Sequence, residues 1–220
     1  MTKLFSLHLD GNKIKILKKG AFEGLRSVKE LHVGNNLIHN ADFYSLNGLQ
    51  SVSLITMQNN SLTTLPYLGN LTQVTTVRFS FNMFDLENQT AVFTNLGELV
   101  ILSMHEAKLR RIPDLSQNPN LLYLFVSKNR IKYIKDGAFL FNSKLEQLMM
   151  NSNNIEILTN ESFTGATSLE TINLSDNPLK QIAHSTFFHE SLKTVFLIDT
   201  MLKHPLLIST VSHPIISFVL

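Results

Sequence analysis

Apolar residues recur along this chain in blocks of the form L-x-x-L-x-L-x-x-N-x-L. In the clearest block Leu169, Ile172, Leu174, Leu179 and Ile182 hold the apolar positions, Asn177 sits among them and Phe187 closes the run. The block recurs 24 residues earlier, at Leu145. Counted from the first apolar residue, blocks begin at Leu4, Val28, Val52, Val74, Leu99, Leu121, Leu145, Leu169 and Leu192, with spacings of 24, 24, 22, 25, 22, 24, 24 and 23. A tenth begins at Ile215 and stops within the motif at Leu220. A fixed period of 20 to 30 residues predicts a solenoid. The L-x-L core alternates with period two, which predicts a half-buried strand in each block. About ten such strands should stack as one parallel sheet, with neighbours ~4.8 Å apart.

A second column is polar. Asn12, Asn36, Asn60, Asn82, Asn129, Asn153 and Asn177 each stand eight residues after their block start, where the chain must leave the strand. A carboxamide offers both donor and acceptor, so stacked amides can satisfy the turns of successive coils. Ala107 and Thr200 break the column. Alanine has no hydrogen-bonding side chain, so water or local distortion is expected there. Long returns carry Phe22, Leu46, Phe93, Phe139, Phe163 or Phe187 to fill the wide side of the coil. Short returns carry Pro66, Pro113 or Pro205, then Leu68, Leu115 or Ile208. Proline fixes φ and lacks an N–H, so these returns should be extended or tightly turned.

Composition narrows the reading. No Gly/Ser linker divides the 220 residues, which predicts a single domain over 1–220. Lys plus Arg total 19 against 17 acids, so overall charge points to neither nucleic acid nor membrane. Cysteine is absent, which removes disulfides, thiolate zinc sites and a cysteine nucleophile. Met1-Thr2-Lys3 runs straight into the first strand without a signal peptide. No stretch approaches the ~20 apolar residues of a membrane helix.

The repeats resemble the leucine-rich repeat family over essentially the whole chain. The 24-residue form with Ala21-Phe22 and Ala138-Phe139 is similar to its extracellular "typical" class, which includes Toll-like receptors, Slit proteins, small leucine-rich proteoglycans and leucine-rich-repeat G-protein-coupled receptors. Ile112-Pro113-Asp114-Leu115-Ser116 resembles short repeats of the hormone-receptor branch. The resemblance implies a right-handed α/β horseshoe with a concave parallel sheet and a convex side of loops and short 3-10 turns. It also implies binding to a protein ligand as part of a secreted or cell-surface receptor. Cysteine-rich caps, usual in that class, are missing. Ten aliphatic side chains exposed at an open end would cost about 15 kcal/mol at ~1.5 kcal/mol each, beyond the ~5–15 kcal/mol stability of a domain. A piece of a longer protein is therefore expected.

Side chains two, four and six residues after each start should face the concave surface. Ile101, Tyr123, Phe125 and Met149 then fall on three successive strands, with Arg78, Phe81 and His105 beside them and Phe196 further along. An apolar-aromatic patch of this kind marks a protein interface, although surfaces are more than half apolar in any case. In the first two repeats His8 stands over His32, with Asp10 and Glu30 diagonal; these types suit zinc, an acid-sensing pair or an ordinary polar end. No metal or other cofactor is assigned. A basic edge follows the strands through Lys108, Arg110, Arg111, Arg130 and Lys132, a candidate for sulfated glycans or an acidic partner. It lacks interleaved aromatics, so specific nucleic-acid recognition is not expected. Sequons at Asn59, Asn70, Asn88, Asn160 and Asn173 allow glycosylation. No catalytic or phosphate-binding motif is present, and a non-enzymatic binding module is expected. The alternatives are a matrix protein binding sulfated glycans and a cytosolic scaffold.

Overall fold

The computed structural model describes residues 3–86, 92–203 and 217–219. Ten three-residue strands form one parallel sheet: β1 (Ser6–His8), β3 (Glu30–His32), β5 (Leu54–Thr56), β6 (Thr76–Arg78), β7 (Ile101–Ser103), β8 (Tyr123–Phe125), β9 (Gln147–Met149), β11 (Thr171–Asn173), β13 (Thr194–Phe196) and β14 (Ser217–Val219). Each pairs with the next in chain order, and the register steps match the block spacings: Ser6 faces Glu30, Glu30 faces Leu54, and Leu54 faces Thr76. From β3 to β13 the central side chain of each strand in the sheet points into the coil. Leu31, Ile55, Val77, Leu102, Leu124, Leu148, Ile172 and Val195 are all buried there, which fixes register because a one-residue slip would expose the whole row.

The convex returns hold the aromatic column. Phe22, Leu46, Phe93, Phe139, Phe163 and Phe187 are buried, as are Leu68 and Leu115 in the short returns. Phe139, Phe163 and Phe187 stack with ring centroids 6.4 and 6.0 Å apart. Pro205 and Ile208 and the start of the tenth block lie outside the described residues. Isolated turns such as Ala138 N–H to Lys135 O (2.9 Å) and Leu145 N–H to Asn142 O (3.0 Å) shape the returns. They do not run together into 3-10 helices, and no helix of any kind occurs among the described residues. Two small parallel ladders lie outside the main sheet: β2 (Ile16–Leu17) with β4 (Asn40–Ala41), and β10 (Ile157–Leu158) with β12 (Gln181–Ile182).

The asparagines knit each coil to the one before it. Asn60 donates from Nδ2 to Met57 O and Gln58 O of its own turn and to Val33 O of the preceding coil, and its Oδ1 accepts Ile38 N–H at 2.9 Å. Asn36, Asn82, Asn153 and Asn177 repeat the pattern. Asn12, in the first described coil, bonds within its own turn, to Leu9 O and Asp10 O. The residue preceding each of these positions takes a left-handed conformation: Asn35, Asn59, Phe81, Glu106, Lys128, Ser152 and Asp176 have φ between 50° and 57°.

At Ala107 the distortion is visible. Lys108 adds a second positive φ (61°) two residues after that of Glu106, and the backbone supplies what the side chain lacks. Phe84 N–H donates to Ala107 O at 3.0 Å in place of an asparagine Oδ1. Asn129 in the next coil accepts two N–H groups, from Ala107 (3.0 Å) and Leu109 (2.9 Å). At Thr200 the solution differs: Leu179 N–H closes onto its own Asn177 O at 2.7 Å.

Candidate functional site: the concave face

Strand pairing arranges the inward side chains in rows across the sheet. Ile101 lies directly beside Tyr123, and Phe125 directly beside Met149. All four are half-buried, and Leu102, Leu124 and Leu148 behind them are fully buried, so the patch rests on a packed layer. In-register neighbours on adjacent strands have their Cβ atoms about 5 Å apart, close enough for these side chains to form one continuous surface. The Tyr123 hydroxyl donates to Glu146 Oε2 at 3.2 Å, and that bond to a carboxylate raises the phenol pKa above its usual value.

A third row, just past the strands, adds Phe81 and His105. Their rings meet edge to face at 4.5 Å, and Phe81 remains 42% exposed. Phe81 is the one aromatic residue in the left-handed column, with φ 56°. A bulky side chain there is a true backbone outlier, of order 1 kcal/mol or more. His105 is fixed by Ser80, whose Oγ lies 3.0 Å from its Nδ1 and accepts its backbone N–H at 3.2 Å; Ser80 Oγ also bonds Ser103 Oγ at 2.9 Å. Burial pushes the His105 pKa below the ordinary histidine value, with the Lys128 charge adding to the shift and Glu106 opposing it.

The other expected members stand apart from this nucleus. Ser103 separates Arg78 from Phe125, and Asn173 separates Met149 from Phe196, so each lies one strand beyond the apolar pair. Asn173 is half-buried in the same row and accepts Ser175 N–H at 3.0 Å. Asn59, Asn70 and Asn160 are exposed, and Asn88 lies outside the described residues.

On the edge after the strands, Lys108, Arg110, Arg111 and Arg130 line a cleft of about 130 Å³ together with Asp85, whose carboxylate offsets part of their charge. Arg111 Nη2 donates to Leu86 O at 2.9 Å. Lys132 is exposed nearby in sequence but does not line the cleft.

Sequence reasoning missed three features. Asn118 and Asn142 are fully buried on the convex side, where most coils carry Leu or Ala, and bridge coils through Nδ2 bonds to Phe93, Leu96, Leu115 and Asn118 carbonyls. Their spacing of 24 residues was the available signal. Phe43, Tyr44 and Tyr67 form an aromatic cluster in the returns of the second and third repeats, with centroids 4.8 to 6.1 Å apart. A larger hollow of about 440 Å³ opens on the returns between Arg111 and Phe141.

Known proteins place this geometry. The chain's structure is similar to the leucine-rich repeat ectodomain of the membrane receptor kinase GASSHO1/SCHENGEN3 from Arabidopsis thaliana, solved in complex with CASPARIAN STRIP INTEGRITY FACTOR 2, with a TM-score of 0.76 at 21% identity over 99% of this chain. It is also similar to Toll from Drosophila in its complex with Spatzle, with a TM-score of 0.68 at 22% identity over 93% of this chain. It spans only 27% and 31% of the lengths of those two chains. No curated protein matches it in sequence. The leucine-rich repeat family model matches residues 2–62 and 119–179, more than half of the 220 residues. The protein belongs to the leucine-rich repeat family.

Proposed function

We propose that this chain is the ligand-binding segment of a larger receptor and that it engages a protein through the centre of the concave sheet. The observation that carries the proposal is the apolar pairing of Ile101 with Tyr123 and of Phe125 with Met149, extended by Phe81 held outward against His105. Aromatic and methionine side chains over a rigid layer fit the anchors of a protein interface: they bring large apolar area with little rotamer entropy to lose. The two structural relatives are each solved in a complex with a partner, which supports a binding role rather than a catalytic one. The same relatives support an extracellular or cell-surface setting; a cytosolic scaffold is the alternative. A glycan on Asn173 would stand between Met149 and Phe196, so that sequon is read as unmodified.

The test uses the immobilised 220-residue chain and its Phe125→Asp/Met149→Asp variant, each checked by circular dichroism, to retain proteins from extracts of the source. A partner held by the natural chain should be lost by the folded variant and kept by Arg110→Ala/Arg111→Ala. Retention by the Asp variant refutes the concave assignment. A second reading is favoured by the convergence of Lys108, Arg110, Arg111 and Arg130 on one cleft: binding of a sulfated glycan or acidic partner. Heparin affinity that falls steeply with salt and with loss of Arg110 and Arg111 would support it.

A further inference from the structure

The N-terminal end of the concave face carries a cluster that the apolar patch does not use. His8 and His32 are direct register partners on β1 and β3, and their imidazoles stack with centroids 4.4 Å apart and planes within 3°. Ligand atoms of His8, His32 and Asp10 lie within 4.8 Å of one another. We propose that these three side chains form a binding site for a divalent transition-metal ion, zinc foremost, with the Glu30 carboxylate beside it.

The donor set suits this ion: two imidazoles and a carboxylate are borderline ligands that zinc accepts in tetrahedral sites. Tetrahedral zinc with bonds of about 2.0–2.2 Å needs donor atoms roughly 3.3–3.5 Å apart. The set must therefore close by up to about 1.4 Å, a side-chain rotation available to exposed His8 and Asp10.

Each ligand is already oriented from behind. His32 Nδ1 is 3.1 Å from the hydroxyl of buried Thr56, which leaves Nε2 to face outward, 3.7 Å from Glu30 Oε2. Ser6 Oγ holds His8 Nε2 at 2.8 Å and leaves Nδ1 available. Asp10 uses Oδ1 to accept Gly34 N–H at 2.8 Å, so Oδ2 remains for a ligand bond. Gly34 permits this approach: a Cβ there would lie 3.0 Å from Asp10 Oδ1 and 2.6 Å from Gln58 Nε2. Such outer bonds fix ring orientation and raise ligand basicity in metal sites.

Electrostatics points the same way. The inward positions of β1, β3 and β5 and of the row after them are Ser6, His8, Asp10, Glu30, His32, Gly34, Leu54, Thr56 and Gln58, with two carboxylates and no Lys or Arg. The Gln58 Oε1 in that row is buried without a hydrogen-bond partner. A dication answers the charge imbalance. With three protein donors, a tetrahedral ion keeps its fourth position open toward the concave face.

Equilibrium dialysis of the 220-residue chain against zinc chloride near neutral pH should retain one equivalent. Cobalt(II) in its place should give the intense visible absorption of a tetrahedral site. Thr56→Val and Gly34→Ala should each weaken zinc about 10–100-fold, and His8→Gln/His32→Gln should weaken it further. His105→Gln, remote from the cluster, should leave affinity unchanged. Zinc retention unchanged in the folded His8→Gln/His32→Gln variant, equal loss in His105→Gln, or no retained zinc would each overturn the assignment.

Discussion

Asn129 bears more of the coil-to-coil bonding than any asparagine beside it, because Ala107 in the preceding coil has no amide of its own. Its Oδ1 accepts from Ala107 N–H and Leu109 N–H, where Asn153 accepts only from Ile131 N–H. Both asparagines donate from Nδ2 to three carbonyls. Truncation to alanine strands these groups in a dry turn, and each buried donor left without an acceptor costs about 1–3 kcal/mol. Asn153→Ala strands one such N–H and Asn129→Ala strands two. Asn129→Ala should therefore cost about 1–3 kcal/mol more than Asn153→Ala, a large share of a typical folding free energy. Urea unfolding followed by far-ultraviolet circular dichroism gives the comparison, provided the two variants keep the same slope, since repeat arrays can unfold in stages. Equal losses, or a greater loss for Asn153→Ala, would refute the compensation described at Ala107.

Other consequences are open to the same assay. Phe81→Asn should relieve left-handed strain and raise stability by about 1 kcal/mol while removing the ring from the concave face, and a destabilised variant would show that the Phe81–His105 contact outweighs the strain. Gly165→Ala should destabilise the chain, and Gly97→Ala should not. At Gly165 φ is +95° and a Cβ would lie 2.4 Å from Leu140 Cα, whereas nothing lies near Gly97, whose substitution should be neutral or stabilising by roughly 0.5 kcal/mol. Burial holds the pKa of both His105 and His189 below the ordinary value. The unfolded chain therefore binds more protons below its own pKa of about 6.5, and the stability these neutral rings give is complete above that pH and lost as pH falls from there through the lowered folded value. The urea midpoint of His189→Gln should drop less than that of the natural chain between about pH 7.5 and 5.5; an equal drop would rule out His189 as a contributor.

Much of the concave side was legible before any coordinates. Strand residues alternate strictly, every strand of the ten-stranded sheet is three residues long, and register follows from block spacing, so the adjacency of Phe125 and Met149 could be counted from the sequence. The separation of Phe196 from Met149 by Asn173 follows from the same counting. The convex side was less legible because its returns differ in length and no two-residue period governs them. Asn118 and Asn142 occupy positions where apolar residues dominate, so they read as breaks in a pattern rather than as a bridge. The Phe43–Tyr44–Tyr67 cluster joins residues of two returns whose mutual approach depends on how Tyr67 N–H meets Phe43 O at 2.8 Å, a contact no local motif specifies. In the His8–His32 pair the types and offset were visible, whereas the Gly34 support emerges only when the second coil is laid against the first and the Thr56 support only when a third is added.

The asparagine Nδ2 bonds that cross between coils all point one way, from a coil to its predecessor: Asn36 to Leu9, Asn60 to Val33, Asn153 to Val126 and Asn177 to Met150. A coil is thus sealed not by its own residues but by those that come about 24 positions later. On the ribosome this gives the chain a built-in delay, because each turn stays loosely held until the next has emerged. Growth then proceeds like masonry in which every course is locked by the one laid on top. A chain cut anywhere along the array loses the seal of the coil just before the cut, so damage spreads toward the N-terminus and leaves the coils beyond the break to keep one another in place.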